Sequence, residues 1–275
     1  MTPMKEKIVL MLLLFLPFVS PLMAQGDLMI FPKRIAFDGI QNRVQNINLS
    51  NIGKDTATYK LSYSEIKMDQ DGKFISIEEP ETDQHFASPY LRFYPRTITL
   101  APNESQTVKI QLIKTNELQQ GEYRSHLYFR AVPKNKVLEK EDPAHKPEGL
   151  SISITPVFGI SVANIITIGE STTAVTLSNL AVQQSEEGII LSLDFNRSGN
   201  MSCYGDIQVN HISLEGITTG AATVKGFAVY TPGNLRRTKI KLSTDQKTDY
   251  TKGRLQVIYS AQDKGMKYTE ATVRL

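Results

Sequence analysis

Apolar residues recur at every second position along most of this chain. Ala57, Tyr59, Leu61 and Tyr63 alternate with polar neighbours. So do Ile98 and Leu100, then Val108, Ile110 and Leu112, then Tyr123, Leu127 and Phe129. A period of two predicts β-strands with one dry face and one wet face. Turn-forming residues separate the runs, at Asp38-Gly39, residues 51–55, Asp71-Gly72 and residues 101–104. No long segment has helical spacing. Residues 28–37 read as an early strand, and about seven strands up to Val162 predict an all-β sandwich.

A second series follows. Val175 and Leu177 open it, Ile189, Leu191, Leu193 and Phe195 alternate, and Ile207 and Val209 form a short pair. Residues 224–230, 239–242, 255–259 and 271–275 complete it, with a turn at 231–234. The last run should tie Leu275 into a sheet. These runs predict a second sandwich of roughly 110 residues. The boundary is expected near residues 163–169, dividing the chain into 1–24, 25–164 and 165–275. With no long linker between them, the halves should hold a defined angle across a cleft.

One segment carries more than core-forming alternation. In residues 151–162, Ile152, Ile154, Pro156, Phe158, Ile160 and Val162 occupy every second position. Residues 133–149, PKNKVLEKEDPAHKPEG, hold almost nothing to bury. A long polar approach thus delivers an apolar strand. Such a strand either fills its own core or stands at an edge, where backbone hydrogen bonds and alternate side chains capture a partner strand. Alternation alone leaves these two readings level.

Residues 1–24 carry Lys5 and Lys7, an apolar run from Ile8 to Val19, and small or apolar residues to Ala24. That layout predicts a signal peptide cleaved after Ala24. The apolar run is short for a membrane-spanning helix, and Pro17 interrupts it. The formal net charge is +3, with Lys and Arg spread out rather than gathered in a stripe, which argues against nucleic-acid binding. Cys203 is the only cysteine, so no intrachain disulfide can form and Cys203 reads as a small buried residue. His85, His126, His145 and His211 lack metal-ligand spacing, and no nucleophile turn or phosphate-cradling glycine loop occurs. Neither enzymatic activity, a metal nor a cofactor is expected.

Four stretches of the first half resemble the periplasmic pilus and fimbrial assembly chaperones, particularly their non-classical members. They are RIAFDG at 34–39, INLSNIGKDTATYKLSY at 47–63, LRFYPRTITLAPNESQTVKIQL at 91–112 and, most specific, GEYRSHLYFRAVP at 121–133. The resemblance covers roughly residues 27–162. Beyond that it rests on sandwich character and the last two strands. It implies two immunoglobulin-like β-sandwich domains in an L or boomerang arrangement and a periplasmic location. It also implies fibre or pilus subunits as partners, an outer-membrane usher, and self-association through an exposed strand.

In that family the last strand of the first domain is lent to the subunit, which here implicates Ile152, Ile154, Pro156, Phe158 and Ile160. An Arg in the first strand and a Lys in the last hold the client's terminal carboxylate. The Arg carries over to Arg34. The Lys does not, because residues 151–162 contain neither Lys nor Arg, and Pro156 removes one backbone donor. The same architecture without chaperone work would be a structural or adhesive module of the cell envelope. Parity places His126 with Arg124, Tyr128 and Arg130, in a structural or solvent-facing position. Arg124 and Arg130 are expected to pair with charges across the sheet.

Overall fold

A computed structural model describes residues 28–133, 156–186, 188–243, 248–262 and 266–275. The expected signal peptide, most of the polar approach, and Ile152 and Ile154 lie outside the described residues. Eleven strands form the first sandwich and a hairpin attached to it. They are Leu28–Phe31 (β1), Arg34–Asp38 (β2), Val44–Asn51 (β3), Ala57–Ser64 (β4), Ile66–Met68 (β5) and Phe74–Ser76 (β6). Leu91–Tyr94 (β7), Thr97–Leu100 (β8), Ser105–Leu112 (β9), Gly121–Ala131 (β10) and Gly159–Ile168 (β11) follow. One sheet has the order β1-β3-β9-β7, the other β2-β11-β10-β4-β8, and β5 pairs with β6 alone.

The alternating residues fill the space between the sheets. Ile47, Leu49, Val108, Ile110 and Leu112 meet Leu61, Ile98, Leu100, Leu127 and Phe129 in one cluster. Each such side chain contributes about 1.5–3 kcal/mol by leaving water. Asn51 explains the turn at 51–55. Its buried amide donates to the Asp55 and Leu100 carbonyls, and its Oδ1 accepts from the Gly53 N–H.

The early segment is not one strand. β1 pairs antiparallel with β3, whereas β2 pairs parallel with β11 in the opposite sheet. Pro32 has no N–H to continue a ladder. Across it the buried positions change parity, from Leu28 and Ile30 to Ile35 and Phe37. A parity change sends the following side chains to the other face, so the chain can cross to the other sheet and still feed the same core.

The second sandwich holds Ala174–Ser185 (β12), Gly188–Ser198 (β13), Cys203–Ile212 (β14), Thr218–Val229 (β15), Leu235–Lys241 (β16), Arg254–Ala261 (β17) and Lys267–Arg274 (β18). Its sheets have the orders β12-β13-β16 and β15-β14-β17-β18. Phe195, Phe227 and Tyr259 pack at its centre, with Cys203 fully buried in the same cluster. The pair Ile207 and Val209 belongs to a ten-residue strand between two neighbours. Small and polar residues are buried there too, so alternation was masked. A Cβ at Gly205 would lie 2.0 Å from the Ser260 carbonyl oxygen. The Leu275 N–H donates to the Gly253 carbonyl, which ties the chain end to the sheet as expected.

Candidate functional site

β11 has two unlike halves. On one side it pairs with β10 along its whole length, from Gly159 opposite Arg130 to Ile168 opposite Gly121. On the other side β2 covers only Ala163 to Thr167. Residues 159–162 therefore leave one edge without a strand among the described residues. Ile160 faces the core side, opposite Phe129, yet is 38% exposed, whereas Val162 is 2% exposed. Phe158 is 53% exposed and its carbonyl accepts from the Ala131 N–H, extending the ladder one step beyond the strand. Pro156 and Val157 precede the strand and are exposed. At Gly159 the Tyr128 ring lies across the backbone, where a Cβ would come within 2.2 Å of its hydroxyl oxygen. No other residue fits there without moving Tyr128.

Arg34 stands where the open edge ends. It is the first residue of β2 and the partner of Ala163. Its guanidinium lies 4.6 Å from the centre of the Tyr204 ring, which the second sandwich supplies. Its Nε is buried with no hydrogen-bond partner.

Arg124 on β10 lies on the same outer face and is 5% exposed. Its guanidinium lies 4.3 Å from the Tyr230 ring centre, and Nη2 donates to the Thr231 carbonyl at 2.9 Å. Nε and Nη1 are buried without partners. A buried donor left unpaired costs about 1–3 kcal/mol. Burial pushes the Arg124 pKa down, Glu122, Tyr230 and Glu65 oppose that, and the nearby Arg34 charge adds to the lowering. Among the described residues Arg124 forms no ion pair, so the expected cross-sheet charge pairing does not occur there. The reason is that the second sandwich covers this face.

Glu122, two residues earlier, is well satisfied. Its carboxylate accepts from the Ser202 N–H at 2.8 Å, the Ser202 hydroxyl and the Thr231 hydroxyl. All three donors come from the second sandwich, so Glu122 latches the two together. His126 is 4% exposed, not solvent-facing. Burial first, and the Arg124 charge second, hold its pKa down to about 3, so it is neutral at ordinary pH.

The β5–β6 hairpin closes one side of this cleft. Its Phe74 ring lies 5.8 Å from His126 and 6.2 Å from Tyr230, centre to centre. The Gln70 carbonyl accepts from the Arg237 N–H at 2.6 Å, on β16 of the second sandwich. Gly72, with φ of +82°, lies against Arg236, where a Cβ would be 2.7 Å from the guanidinium. Between the hairpin and residues 232–235 is a groove of about 820 Å³.

In this constellation Ser202 and Thr231 engage the Glu122 carboxylate, and burial holds His126 neutral. It offers an unpaired strand edge leading to two cations with spare donors. Of the residues singled out from the sequence, Arg34 stands beside Ala163 where the open edge ends, and Phe158 and Ile160 lie along that edge. Sequence reasoning placed Arg124 only by parity, with no role in the cleft, and did not reach Glu122, Tyr204 or Tyr230. Three charged or titratable residues in succession on one face of β10 were the available signal.

An Fn3-like domain model matches residues 35–139. No curated protein matches the chain. Among solved structures the chain is similar to the class 5 fimbriae chaperone CfaA, with 14% identity, TM-score 0.44, and 90% of this chain and 98% of that chain covered. It is similar to the Pseudomonas aeruginosa CupB2 chaperone at 12% identity and TM-score 0.42, with coverages of 90% and 98%. A structure of the Acinetobacter baumannii CsuC–CsuE chaperone–tip adhesion subunit complex gives 11% identity and TM-score 0.43, covering 90% and 97%.

Proposed function

We propose that this protein is a periplasmic chaperone that holds surface-fibre subunits by lending them a β-strand, with Arg34 gripping the client's terminal carboxylate. The observation that carries this reading is the place where the free edge of β11 ends. β2 runs parallel to β11 and begins with Arg34 beside Ala163. A client strand added along residues 159–162 in the same direction would run head-on towards the start of β2. Its C-terminus would then meet Arg34, and a guanidinium holds a carboxylate through two parallel hydrogen bonds. An antiparallel client would bring its N-terminal ammonium to the same cation. Arg34 therefore favours parallel addition, while Phe158 and Ile160, with Ile152, Ile154 and Pro156 upstream, offer alternate side chains to the client. No chemistry on a small molecule is part of this role.

Photo-cross-linking from position 160 in the exported protein, followed by partner identification, tests it. The expected partner is a β-sandwich subunit cross-linked through its C-terminal residues. Arg34→Ala is expected to weaken that complex on the order of tenfold. Cross-links to other parts of a partner, or none, would leave a structural or adhesive module as the better reading.

A further inference from the structure

We propose that the outer face of the sheet β1-β3-β9-β7 binds an acidic glycan, a polysaccharide chain that carries uronate carboxylates. This is the sheet opposite to β11, so the site is separate from the strand edge and from strand lending. The wet face of a sheet ordinarily mixes both signs of charge. In the second sandwich, for instance, Asp194 stands opposite Arg237. The outward positions of β1, β3, β9 and β7 break that pattern. Asn46, Asn48 and Gln111 present amides there, and Thr107 presents a hydroxyl. Lys109 and Arg92 are the charged residues of the face, both positive, and neither forms an ion pair among the described residues. The Thr107 hydroxyl donates to Asn48 Oδ1 at 2.8 Å, which leaves the Asn48 amide nitrogen to donate outward.

Two aromatic rings stand at opposite edges of this face. Phe31 on β1 is 69% exposed and Tyr94 on β7 is 77% exposed. Phe31 pairs with Asn48, and Tyr94 pairs with Lys109. From strand spacing and rise, their backbones lie roughly 16 Å apart. At the β7 edge the face meets a groove of about 340 Å³, lined in part by Arg92, Phe93, Arg96 and Tyr63. The Tyr63 hydroxyl is buried there with no hydrogen-bond partner. Glu65, whose charge acts on Tyr63, accepts from the Ser125 hydroxyl instead.

A sugar hydroxyl both donates and accepts, and so does a side-chain amide. The C–H face of a sugar ring is apolar, and an exposed aromatic ring offers it contact area at small entropic cost. Lys109, Arg92 and Arg96 would meet carboxylates spaced along the chain, the guanidiniums through paired hydrogen bonds. Nucleic acids and anionic membranes call for denser basic clusters than these three residues.

The test is calorimetric titration of the full exported chain with hexagalacturonate, hexamannuronate and uncharged maltohexaose at physiological ionic strength. At least one hexauronate is expected to bind, and maltohexaose is expected to bind at least tenfold more weakly. Lys109→Glu and Arg96→Gln should each weaken the hexauronate several-fold. Tyr94→Leu keeps apolar bulk but loses the ring, and should do the same. Lys225→Glu makes the Lys109→Glu charge change on an exposed position of β15 and should leave binding unchanged. Urea unfolding of each variant separates lost binding from lost folding. Heat from neither hexauronate would overturn the proposal. Equal weakening by Lys225→Glu and Lys109→Glu would reduce the binding to net charge. Co-sedimentation with phosphatidylglycerol vesicles, without hexauronate binding, would give the face to a membrane surface instead.

Discussion

Two arginines among the described residues are buried, and their surroundings differ sharply. Arg197, inside the second sandwich, is 7% exposed. Its Nε donates to the Gly233 carbonyl at 2.8 Å, and Nη1 donates to the Gly199 and Met201 carbonyls at 2.8 and 2.9 Å. Arg124, in the cleft, is as deeply buried and has one such bond. An arginine that only holds loops together is surrounded by carbonyls. Arg124 instead keeps Nε and Nη1 unpaired at the contact between the two sandwiches.

The largest expected effect tests the satisfied side of that contrast. Arg197→Met leaves the Gly199, Met201, Pro232 and Gly233 carbonyls without their donor and should cost about 3 kcal/mol, read from urea unfolding. Next comes the latch. Glu122→Ala strands the Ser202 and Thr231 donors at the contact and should cost about 2 kcal/mol in the same experiment. If it costs nothing, the two sandwiches are not held together there.

A third prediction uses pH. The folded-state pKa of His126 lies below its unfolded value, so the native state binds fewer protons. The stability gained from its neutrality is full above about pH 6.5 and falls as pH drops towards 3. Glu65 opposes this, because burial raises its pKa and favours the folded state at low pH. The difference between the native protein and His126→Phe isolates the histidine. Acidifying from pH 6.5 to 5.5 should narrow the stability gap in the native protein's disfavour by about 1 kcal/mol. No change would mean that His126 binds its proton equally in the folded and unfolded chain. The groups facing it are Arg124 on its own strand and Phe74 from the hairpin.

The smallest effect is the most telling for Arg124. Arg124→Met gives up one hydrogen bond but also removes two unpaired donors. Stability should stay within about 1 kcal/mol of the native value. A loss as large as that of Arg197→Met would place the two arginines in the same structural role.

Much of the scaffold was legible because strands alternate and cores accept only apolar faces. Val108, Ile110 and Leu112, or Leu191, Leu193 and Phe195, could hardly face water. The crossing at Pro32 was also written in the chain, as a change of buried parity between Ile30 and Ile35. Reading residues 28–37 as one strand overlooked it. The ten-residue β14 was hidden for a different reason. Its glycine and polar residues are buried by neighbouring strands, and alternation cannot register that.

Parity assigned Arg124, His126 and Tyr128 to a shared face, and the structure agrees. What covers that face was beyond local reading. Alternation reports which side chains share a side of a strand over a few residues. It does not report that Tyr204, Tyr230 and Thr231, some 80–107 residues later, close over that side. The chain's own pattern therefore settled which residues form strands and which face each one presents. Packing of the second sandwich settled that Glu122 is satisfied while Arg124 keeps free donors, because hydrogen-bond satisfaction depends on distant neighbours.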